Sequence, residues 1–472
     1  MPAMKTEDLR GMRVTVMGLG LNGGGLAAAR FLAGRGAVVT VTDTKDEAAL
    51  AESVAALAGL PIRLVLGRHE TADFSGADMV IKNPAVRPDS PYLRASRLVE
   101  TDLSLFLALC PAPVLAVTGS KGKSTTASAI AYALNESGGR AFLGGNITVS
   151  PLSFIDEVGP DDRVVLELSS WQLGDLAGRG ALRPLAAVLT RIVPDHLDRY
   201  GTMEAYVADK RLIYADQAPG AWTICDADDP YGRSFAAETP ARVLWYGDSP
   251  PAGGHGAWLA GDGRGMARLP GSGELELLPA RIRVPGAHNR RNLLAAGLAA
   301  WAGGADPGSI SGALARFPGV EHRLEVFLER DGVRWCNDSA ATVPEAVEVA
   351  LGAFAEPVVL ITGGTDKRLD FAPVRAAYRK AANVLLLAGS GTEKLRLLLD
   401  EDGVRYDGPY DALAPALERA RGVARPGSVV LLSPGCTSFG MFRNEFDRGR
   451  SFKTAVHEML GEPSSGQYTT EQ

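Results

Sequence analysis

The sequence AVTGSKGKSTT, residues 116–126, has the layout of a phosphate-binding loop. An apolar run ends at a glycine-rich turn, and an alanine-rich segment that is typical of a helix follows. Backbone N–H groups of such a turn point inward, and the N-terminus of the helix adds partial positive charge. Lys123 can reach the outer phosphates of a nucleotide, and the hydroxyl of Ser124 or Thr125 can bind Mg²⁺. The stretch therefore predicts a strand–turn–helix unit that binds nucleotide phosphates.

The spacing of this loop differs from the common pattern G-x-x-x-x-G-K-[ST]. Val117 stands five residues before Gly122, and the nearest preceding glycine is Gly119. A glycine-rich turn without a ligand is the alternative interpretation. The run Gly-Lys-Ser-Thr in its strand–turn–helix context favours a bound phosphate.

Length and composition indicate an ordinary soluble globular protein. At 472 residues the chain has room for about three domains of ~150 residues each. A formal net charge of −6 argues against general binding of nucleic acid or of acidic membranes. The four cysteines form no CxxC pair, which favours free thiols in a reducing compartment. Neither a signal peptide nor a membrane helix is evident, so we expect a cytoplasmic protein without membrane insertion.

Short apolar runs alternate with Ala/Leu-rich segments along the whole chain, which predicts α/β domains built on parallel sheets. Eight runs read as buried strands: 13–18, 38–43, 114–119, 164–170, 186–192, 357–364, 383–389 and 428–435. Residues 247–265 read as an inserted loop and hairpin. We predict three domains, bounded at residues 1–99, 100–319 and 320–472.

A second glycine-rich turn, GLGLNGGG at residues 18–25, follows the first predicted strand. Gly18, Gly20 and Gly23 fit the pattern G-x-G-x-x-G, and Asp43 ends the next strand at a suitable distance. Taken alone, this pattern is typical of NAD binding. The same turn suits any diphosphate at a helix N-terminus, or it packs without a ligand.

The middle of the chain contains candidate metal ligands. Glu167 lies near the end of one predicted strand, and His196 follows another. Carboxylate and imidazole groups at the carboxyl ends of parallel strands lie on the side where such sheets bind ligands. Lys210 lies in the helix-like run YVADKRLIY, and from the residues alone a solvated lysine is the simplest interpretation.

Eight segments, in their order along the chain, together resemble the Mur ligase family. They are TGSKGKST (118–125), LELSSWQL (166–173), DHLDRY (195–200), GAHNRRNLLAA (286–296), GVEHRLEV (319–326), VRWCNDSAAT (333–342), GGTDKRLDF (363–371) and LSPGCTSFGMFRNEFDRG (432–449). The first resembles the short phosphate loop of that family, G-[ST]-x-G-K-[ST]. The resemblance extends over nearly the whole chain.

The resemblance implies three α/β domains with different ligands. The N-terminal domain would be Rossmann-like and hold a UDP-sugar peptide rather than NAD. The central domain would be a P-loop-type ATPase with a parallel sheet. The C-terminal domain would be Rossmann-like and bring the incoming amino acid. The implied reaction is the ATP-dependent addition of D-glutamate to UDP-N-acetylmuramoyl-L-alanine through an acyl phosphate, carried out by a monomer.

The resemblance also implies the residues of the ATP and metal sites. The expected ATP-binding residues are Gly119, Ser120, Lys121, Gly122, Lys123, Ser124, Thr125, Asn289, Asn292, Arg323 and Asp338. Ser124 and Glu167 would hold one Mg²⁺, and His196 and Lys210 would serve a second. Because a free ammonium cannot ligate a cation, Lys210 is expected to be carbamylated, as the matching lysine of the family is. Lys123, Glu167, His196 and Lys210 are the expected catalytic residues.

Substrate contacts follow from the same resemblance. The UDP-sugar substrate would contact Gly20, Thr44, Lys45, Asn83, Asn146 and His196. Glutamate would contact Lys367, Ser438 and Phe439. Two segments depart from the family pattern. IKNPAV (81–86) stands where the family has S-P-G-[IV], and Ala340 stands where it has a lysine.

The missing lysine leaves one fewer cation for a carboxylate of the amino acid, so a related ligase that adds L-glutamate is an alternative. More distant alternatives are a folylpolyglutamate synthase, an NAD-dependent dehydrogenase and a nucleotide-binding switch without catalysis. The Rossmann-like block at the N-terminus argues against a folylpolyglutamate synthase. The phosphate loop and the third block argue against an NAD-dependent dehydrogenase.

Overall fold

The first apolar runs of the sequence form a five-stranded parallel sheet. Its strands are β1 Arg13–Met17, β2 Val38–Asp43, β3 Ile62–Leu66, β4 Met79–Lys82 and β5 Val99–Glu100. The accompanying helices are α1 Gly24–Gly34, α2 Ala51–Ala55, α3 Thr71–Ser75, α4 Pro91–Arg94 and α5 Asp102–Leu109. The strand order is β3-β2-β1-β4-β5. The order reverses between β1 and β4, and doubly wound sheets bind ligands at the carboxyl ends of the strands beside such a reversal.

The middle of the chain forms a nine-stranded sheet. Its strands are β6 Val114–Thr118, β7 Ala141–Gly145, β8 Arg163–Glu167, β9 Ala186–Leu189, β10 Trp222–Asp226, β11 Arg242–Gly247, β12 Gly256–Leu259, β13 Gly265–Arg268 and β14 Glu274–Leu278. Their order is β14-β13-β12-β11-β10-β9-β6-β8-β7. Strands β6 to β12 pair in parallel, and β12, β13 and β14 pair antiparallel. The hairpin predicted near residues 247–265 is therefore confirmed.

Helices of the middle segment cover this sheet. They are α6 Lys123–Glu136, α7 Ser170–Asp175, α8 Leu197–Tyr200, α9 Met203–Arg211, α10 Pro230–Glu238, α11 Ala287–Ala302 and α12 Pro307–Arg316. This segment also has 3₁₀ helices at Pro151–Ser153 and Ile155–Glu157. Two more lie elsewhere in the described chain, at Thr6–Leu9 before β1 and at Ala372–Lys380 in the last third. The central strands are buried along their whole length, β6 and β9 at every residue. This burial on both faces explains why their sequences are apolar without alternation.

The last third of the chain forms a six-stranded sheet. Its strands are β15 Glu325–Arg330, β16 Val333–Asn337, β17 Val358–Thr362, β18 Asn383–Leu387, β19 Tyr406–Tyr410 and β20 Val429–Leu432, in the order β15-β16-β20-β17-β18-β19. Only β15, which pairs with β16, is antiparallel among these described strands. The helices of this part are α13 Pro344–Leu351, α14 Ser390–Glu401, α15 Leu413–Val423 and α16 Glu445–Leu460.

This computed structural model describes residues 5–20, 23–147, 149–438 and 440–461, and they divide into two units. The first unit consists of the described residues of Met1–Arg281 and Arg290–Ala315 and contains the first two sheets. The second consists of those of Ile282–Asn289 and Arg316–Gln472 and contains the third. All eight predicted strands are present, and the predicted α/β class is confirmed. The boundaries at residues 99 and 319 stay a prediction.

The helices that these residues form are too short or too polar to span a lipid bilayer.

Close packing of α1 on the turn after β1 depends on a glycine. A Cβ atom at Gly25 would lie 2.1 Å from the carbonyl oxygen of Gly18 and 2.6 Å from that of Leu19. Both distances are far below van der Waals contact, and the atoms are backbone atoms that cannot rotate away. Gly34, in the same helix, has open space where its Cβ would be.

We predict that Gly25→Ala lowers the free energy of unfolding of the first unit by about 1–3 kcal/mol, because the extra methyl group displaces the turn from α1. Gly34→Ala is the matched control. It should be neutral or stabilise by up to about 1 kcal/mol, because alanine has the higher helix propensity. Calorimetric unfolding of both variants measures the difference. Equal unfolding temperatures for the two variants would contradict this packing.

Candidate active site

A cavity of about 320 Å³ lies in the first unit, beside the carboxyl ends of several parallel strands. Its walls come from the turn after β4, the end of β7, α7 and the start of α6. His196 and two residues of α9, Tyr206 and Lys210, complete it. The cavity therefore brings together five of the residues predicted from the sequence, which are Asn83, Lys123, Asn146, His196 and Lys210.

The phosphate loop has the predicted strand–turn–helix form. Strand β6 ends at Thr118, and α6 begins at Lys123. Gly122 has φ +93°, and a Cβ atom there would lie 2.4 Å from Oδ1 of Asn292. Glycine is thus required both by the left-handed backbone and by the close approach of the asparagine. Asn292, predicted to contact the nucleotide, packs directly against the loop.

Two lysines converge on one carbonyl oxygen of this loop. Nζ of Lys123 donates to the carbonyl oxygens of Gly119 and Ser120, both at 3.1 Å. Nζ of Lys210 donates to the same Gly119 oxygen at 2.8 Å. Two nitrogen donors thus lie at the turn where the phosphates of a nucleotide are predicted to bind.

Lys210 is not a solvated lysine, so the simplest interpretation from its sequence is wrong. Its side chain lies on α9 and is 1% exposed, with Nζ 4.5 Å from the ring centroid of Tyr206. Burial and, to a smaller extent, the neighbouring charge of Lys123 lower the pKa of Lys210 to about 7. A substantial fraction of Lys210 is therefore an uncharged amine near neutral pH.

Glu167 lies at the end of β8 behind the cavity wall and is 2% exposed. Its Oε1 accepts a hydrogen bond of 2.9 Å from the side-chain amide of Asn146. Its Oε2 is buried and has no hydrogen-bond partner among the described residues. A buried carboxylate oxygen without a partner is costly unless a ligand satisfies it. Hard cations such as Mg²⁺ take oxygen ligands of this kind.

His196 is held by its backbone and by aromatic neighbours. It has φ +53° and precedes the short helix α8. The centroid of its ring lies 5.3 Å from that of the Trp171 ring. The guanidinium carbon of Arg199 lies 3.9 Å from the centroid of the same Trp171 ring. Its side chain is 48% exposed. The imidazole is therefore accessible to a ligand in the cavity.

Part of the phosphate loop is already committed to contacts within the protein. The N–H groups of Ser120 and Lys121 both donate to the carbonyl oxygen of Arg191. The hydroxyl of Ser120 donates to the carbonyl oxygen of Val193 at 2.8 Å. The amides at the start of α6, from Gly122 to Ser124, are better placed to receive phosphates. Ser124 itself is not among the residues that line the cavity.

The residues predicted for the UDP end of the substrate occupy the first sheet. The N–H of Gly20 donates to Oδ2 of Asp43 at 3.1 Å, which fixes the glycine-rich turn to the end of β2. Thr44 and Lys45 follow β2 and are exposed. Neither lines the cavity, whereas Asn83 does.

The residues predicted to contact the adenine side and the amino acid show different environments. Asn289, whose Nδ2 donates to the carbonyl oxygen of Pro285 at 2.7 Å, is 6% exposed. Arg323 and Lys367 are exposed, and Ser438 is 4% exposed. Phe439 lies outside the described residues.

Asp338 is a buried carboxyl group at the end of β16. It accepts hydrogen bonds from the hydroxyl of Ser433 at 2.8 Å and from the N–H of Leu324 at 3.1 Å. Burial raises the pKa of Asp338 to about 7, although both hydrogen bonds oppose the shift.

The cavity also contains residues that the sequence analysis did not single out. Oδ2 of Asp102 accepts a hydrogen bond of 2.8 Å from Ser150, and burial raises the pKa of Asp102. Tyr206 lies four residues before Lys210 on α9, and this i, i+4 spacing could have identified it as a neighbour. Asp102 gave no such signal, because its sequence context is that of a helix start.

Comparisons with protein-family models match three successive parts of the chain. Residues 12–102 match the model "Mur ligase MurD-like, N-terminal domain", residues 117–300 match "Mur ligase middle domain", and residues 322–436 match "Mur ligase, glutamate ligase domain". The first match replaces the interpretation of the glycine-rich turn as an NAD site.

Similar curated proteins cover almost all of the chain. A UDP-N-acetylmuramoylalanine–D-glutamate ligase of Roseiflexus sp. is 44% identical over 462 residues, which are 95% of this chain and 99% of that protein. The ligase of the same name from Treponema pallidum is 42% identical and covers 95% of this chain and 98% of that protein.

A solved structure supports the fold. The crystal structure of a UDP-N-acetylmuramate–alanine ligase from Thermotoga maritima has a TM-score of 0.60 at 21% identity and covers 95% of this chain and 100% of that one. With three matching domain models and relatives of this identity and coverage, the chain belongs to the Mur ligase family.

Proposed function

We propose that this protein is the ATP-dependent ligase that joins D-glutamate to UDP-N-acetylmuramoyl-L-alanine in the synthesis of peptidoglycan precursors. Curated relatives at 35–44% identity carry this name and match over nearly their full lengths. The observation that carries the proposal is the meeting of the phosphate-loop Lys123 and the buried Lys210 in one cavity. We further propose a cytoplasmic protein that acts as a monomer.

The reaction needs activation because a carboxylate is a poor electrophile. Transfer of the γ-phosphoryl group of ATP to the substrate carboxylate gives an acyl phosphate and ADP. The amine of D-glutamate then attacks the carbonyl carbon, and phosphate leaves with the bonding electrons. Catalysis of such transfers is mainly positioning and neutralisation of negative charge.

Lys123 is the residue that we assign to the ATP phosphates. Its ammonium lies at the turn of the phosphate loop, where it donates to two backbone carbonyl groups. Phosphate oxygens carry full charge and are stronger acceptors than these carbonyls. When ATP binds, Lys123 can exchange the carbonyl contacts for phosphate contacts and stabilise the charge that develops during transfer.

The residues around Glu167 fit a divalent cation. Its buried Oε2 has no partner in the described part of the chain, and Ser124 follows Lys123 in the phosphate loop. We propose that both hold Mg²⁺ beside the ATP phosphates. The ion would neutralise phosphate charge and polarise the transferred group. Asn146, bound to the other oxygen of Glu167, keeps that carboxylate in place.

Lys210 and His196 are proposed to serve a second Mg²⁺. Carbamylation requires an uncharged amine, and the lowered pKa of Lys210 supplies one near neutral pH. The reaction forms an N–C bond between Nζ and CO₂ with loss of one proton. The product carries oxygen ligands on a side chain whose amine could not bind a cation. The side chain of His196 is exposed, so its imidazole is accessible to the same Mg²⁺ ion.

The direct test of this function is ligation with purified protein. ATP hydrolysis should depend on UDP-N-acetylmuramoyl-L-alanine and on D-glutamate together, and the product should contain a new amide bond by mass spectrometry. L-Glutamate at equal concentration is the comparison. A higher kcat/KM for L-glutamate would move the protein to the L-adding branch, and hydrolysis that needs neither substrate would remove the ligase assignment.

We predict that Lys123→Ala lowers kcat by about 10²–10³-fold or more, because a charge-stabilising contact to the transferred group is lost. The thermal unfolding temperature should remain close to wild type, since Lys123 lines a cavity rather than a core. Lys380→Ala, an exposed lysine of the second unit, is the control and should retain full activity. Activity of Lys123→Ala within a few-fold of wild type would refute its assigned role.

We predict that Lys210→Ala is nearly inactive and is partly rescued by acetate or another short carboxylic acid. The small anion would occupy the space of the missing side chain and supply the oxygens of the carbamate. Lys210→Met, which fills that space, should be equally inactive but resistant to rescue. Steady-state rates across a concentration series of acetate measure this, and rescue of both variants or of neither would argue against a carbamate.

A further inference from the structure

A buried ion pair joins two walls of the cavity. Nζ of Lys82, the last residue of β4, lies 2.7 Å from Oδ2 of Asp175, the last residue of α7. The two side chains are 6% and 11% exposed. Neither residue lines the cavity, and the reaction described above assigns neither a role.

The ammonium of Lys82 also holds the turn that follows β4. It donates to the carbonyl oxygen of Val86 at 3.2 Å, which closes the intervening turn around the lysine. That turn contributes Asn83, Pro84 and Ala85 to the cavity wall. Oδ1 of Asn83 accepts the N–H of Ala85 at 3.0 Å, so the turn is also bonded within itself. One buried cation thus fixes the shape of one wall.

Asp175 anchors a second wall, which α7 forms. Ser170, Trp171 and Gln172, in the helix that Asp175 ends, line the cavity. The chain beyond α7 is joined to the first sheet a second time, because Arg179 forms an ion pair of 2.6 Å with Glu100, which is 1% exposed. Two ion pairs, whose carboxylates are 11% and 1% exposed, therefore connect the segment 170–179 to β4 and β5.

We propose that Lys82 and Asp175 are positioning residues for the UDP-sugar substrate, whose binding cavity they preform by fixing the turn 83–86 against α7. This inference rests on the proposed function. The turn is also the place where the chain departs from the family pattern, with IKNPAV in place of S-P-G-[IV]. The turn therefore differs in sequence from that of the family, and the buried ammonium of Lys82 holds it in place.

The effect of this ion pair on substrate binding can be separated from its effect on the stability of the fold. Removing one partner leaves an unpaired buried charge and destabilises the fold. Replacing both partners by apolar side chains of similar size commonly preserves stability. The double variant Lys82→Met/Asp175→Leu therefore keeps the packing but loses the contact to the Val86 carbonyl and the charge pair between the walls.

The test measures binding of UDP-N-acetylmuramoyl-L-alanine by calorimetry without ATP, together with KM for each substrate. In the double variant, Kd and KM for the UDP-sugar substrate should rise about 10-fold or more. KM for ATP and the unfolding temperature should stay close to wild type. Arg375→Met/Asp402→Leu removes an ion pair of the second unit, with an N–O distance of 2.8 Å, and should change none of these.

Asp175→Asn provides a second variant in case the double variant does not fold. It keeps the shape of the side chain and an oxygen acceptor for Nζ of Lys82, which limits the destabilisation, but it removes the negative charge that pairs with Lys82. It should therefore also raise Kd for the UDP-sugar substrate. An unchanged Kd in a folded variant of either kind would overturn the inference, and so would an equal rise in the KM of every substrate. Failure of the wild-type protein to bind this substrate at all would instead refute the proposed function.

Discussion

Two lysines share one backbone carbonyl oxygen at the turn of the phosphate loop, and the arrangement of the site depends on this contact. Gly119 directly follows the apolar strand β6, and its carbonyl oxygen accepts hydrogen bonds from Nζ of both Lys123 and Lys210. Like charges so close together disfavour double protonation, and burial of Lys210 adds to the effect. A shift of its pKa from 10.5 to about 7 corresponds to roughly 5 kcal/mol against the charged form.

This balance also links the site to the stability of the fold. Between pH 7 and about 10 the unfolded chain holds a proton on Lys210 that the folded chain has released, so this group contributes to a rise in stability with pH through that window. An anionic ligand that accepts a hydrogen bond from either lysine would reduce the repulsion between the two ammonium groups. A phosphate near Lys123, or a carbamate on Lys210, would therefore be stabilised at this turn. In the contacts that the structure describes, no carboxylate lies at hydrogen-bond distance from Nζ of Lys210.

Much of this architecture could be predicted from the sequence. Buried parallel strands have apolar runs that are readable without an alignment, and all eight predicted runs form strands. The run Gly-Lys-Ser-Thr predicted the strand–turn–helix form of the phosphate loop because the signal for this turn is local in sequence. The depth of Lys210 could not be predicted, because YVADKRLIY places a charged residue in a helix whose environment comes from residues about 90 positions earlier. The ion pair of Lys82 and Asp175 could not be predicted either, because neither residue lies in a recognised motif and the contact joins a strand of the first sheet to a helix that lies about 90 residues later in the chain.

The central claim is that Lys210 carries an uncharged, reactive amine in the folded protein. Carbon-13 NMR of the protein equilibrated with ¹³C-bicarbonate at pH 8 measures this directly. We predict a carbamate resonance that is present in wild type and in Lys380→Ala, and absent in Lys210→Arg, whose guanidinium remains charged. A spectrum of wild type without a carbamate resonance, or one that Lys210→Arg leaves unchanged, would contradict the account.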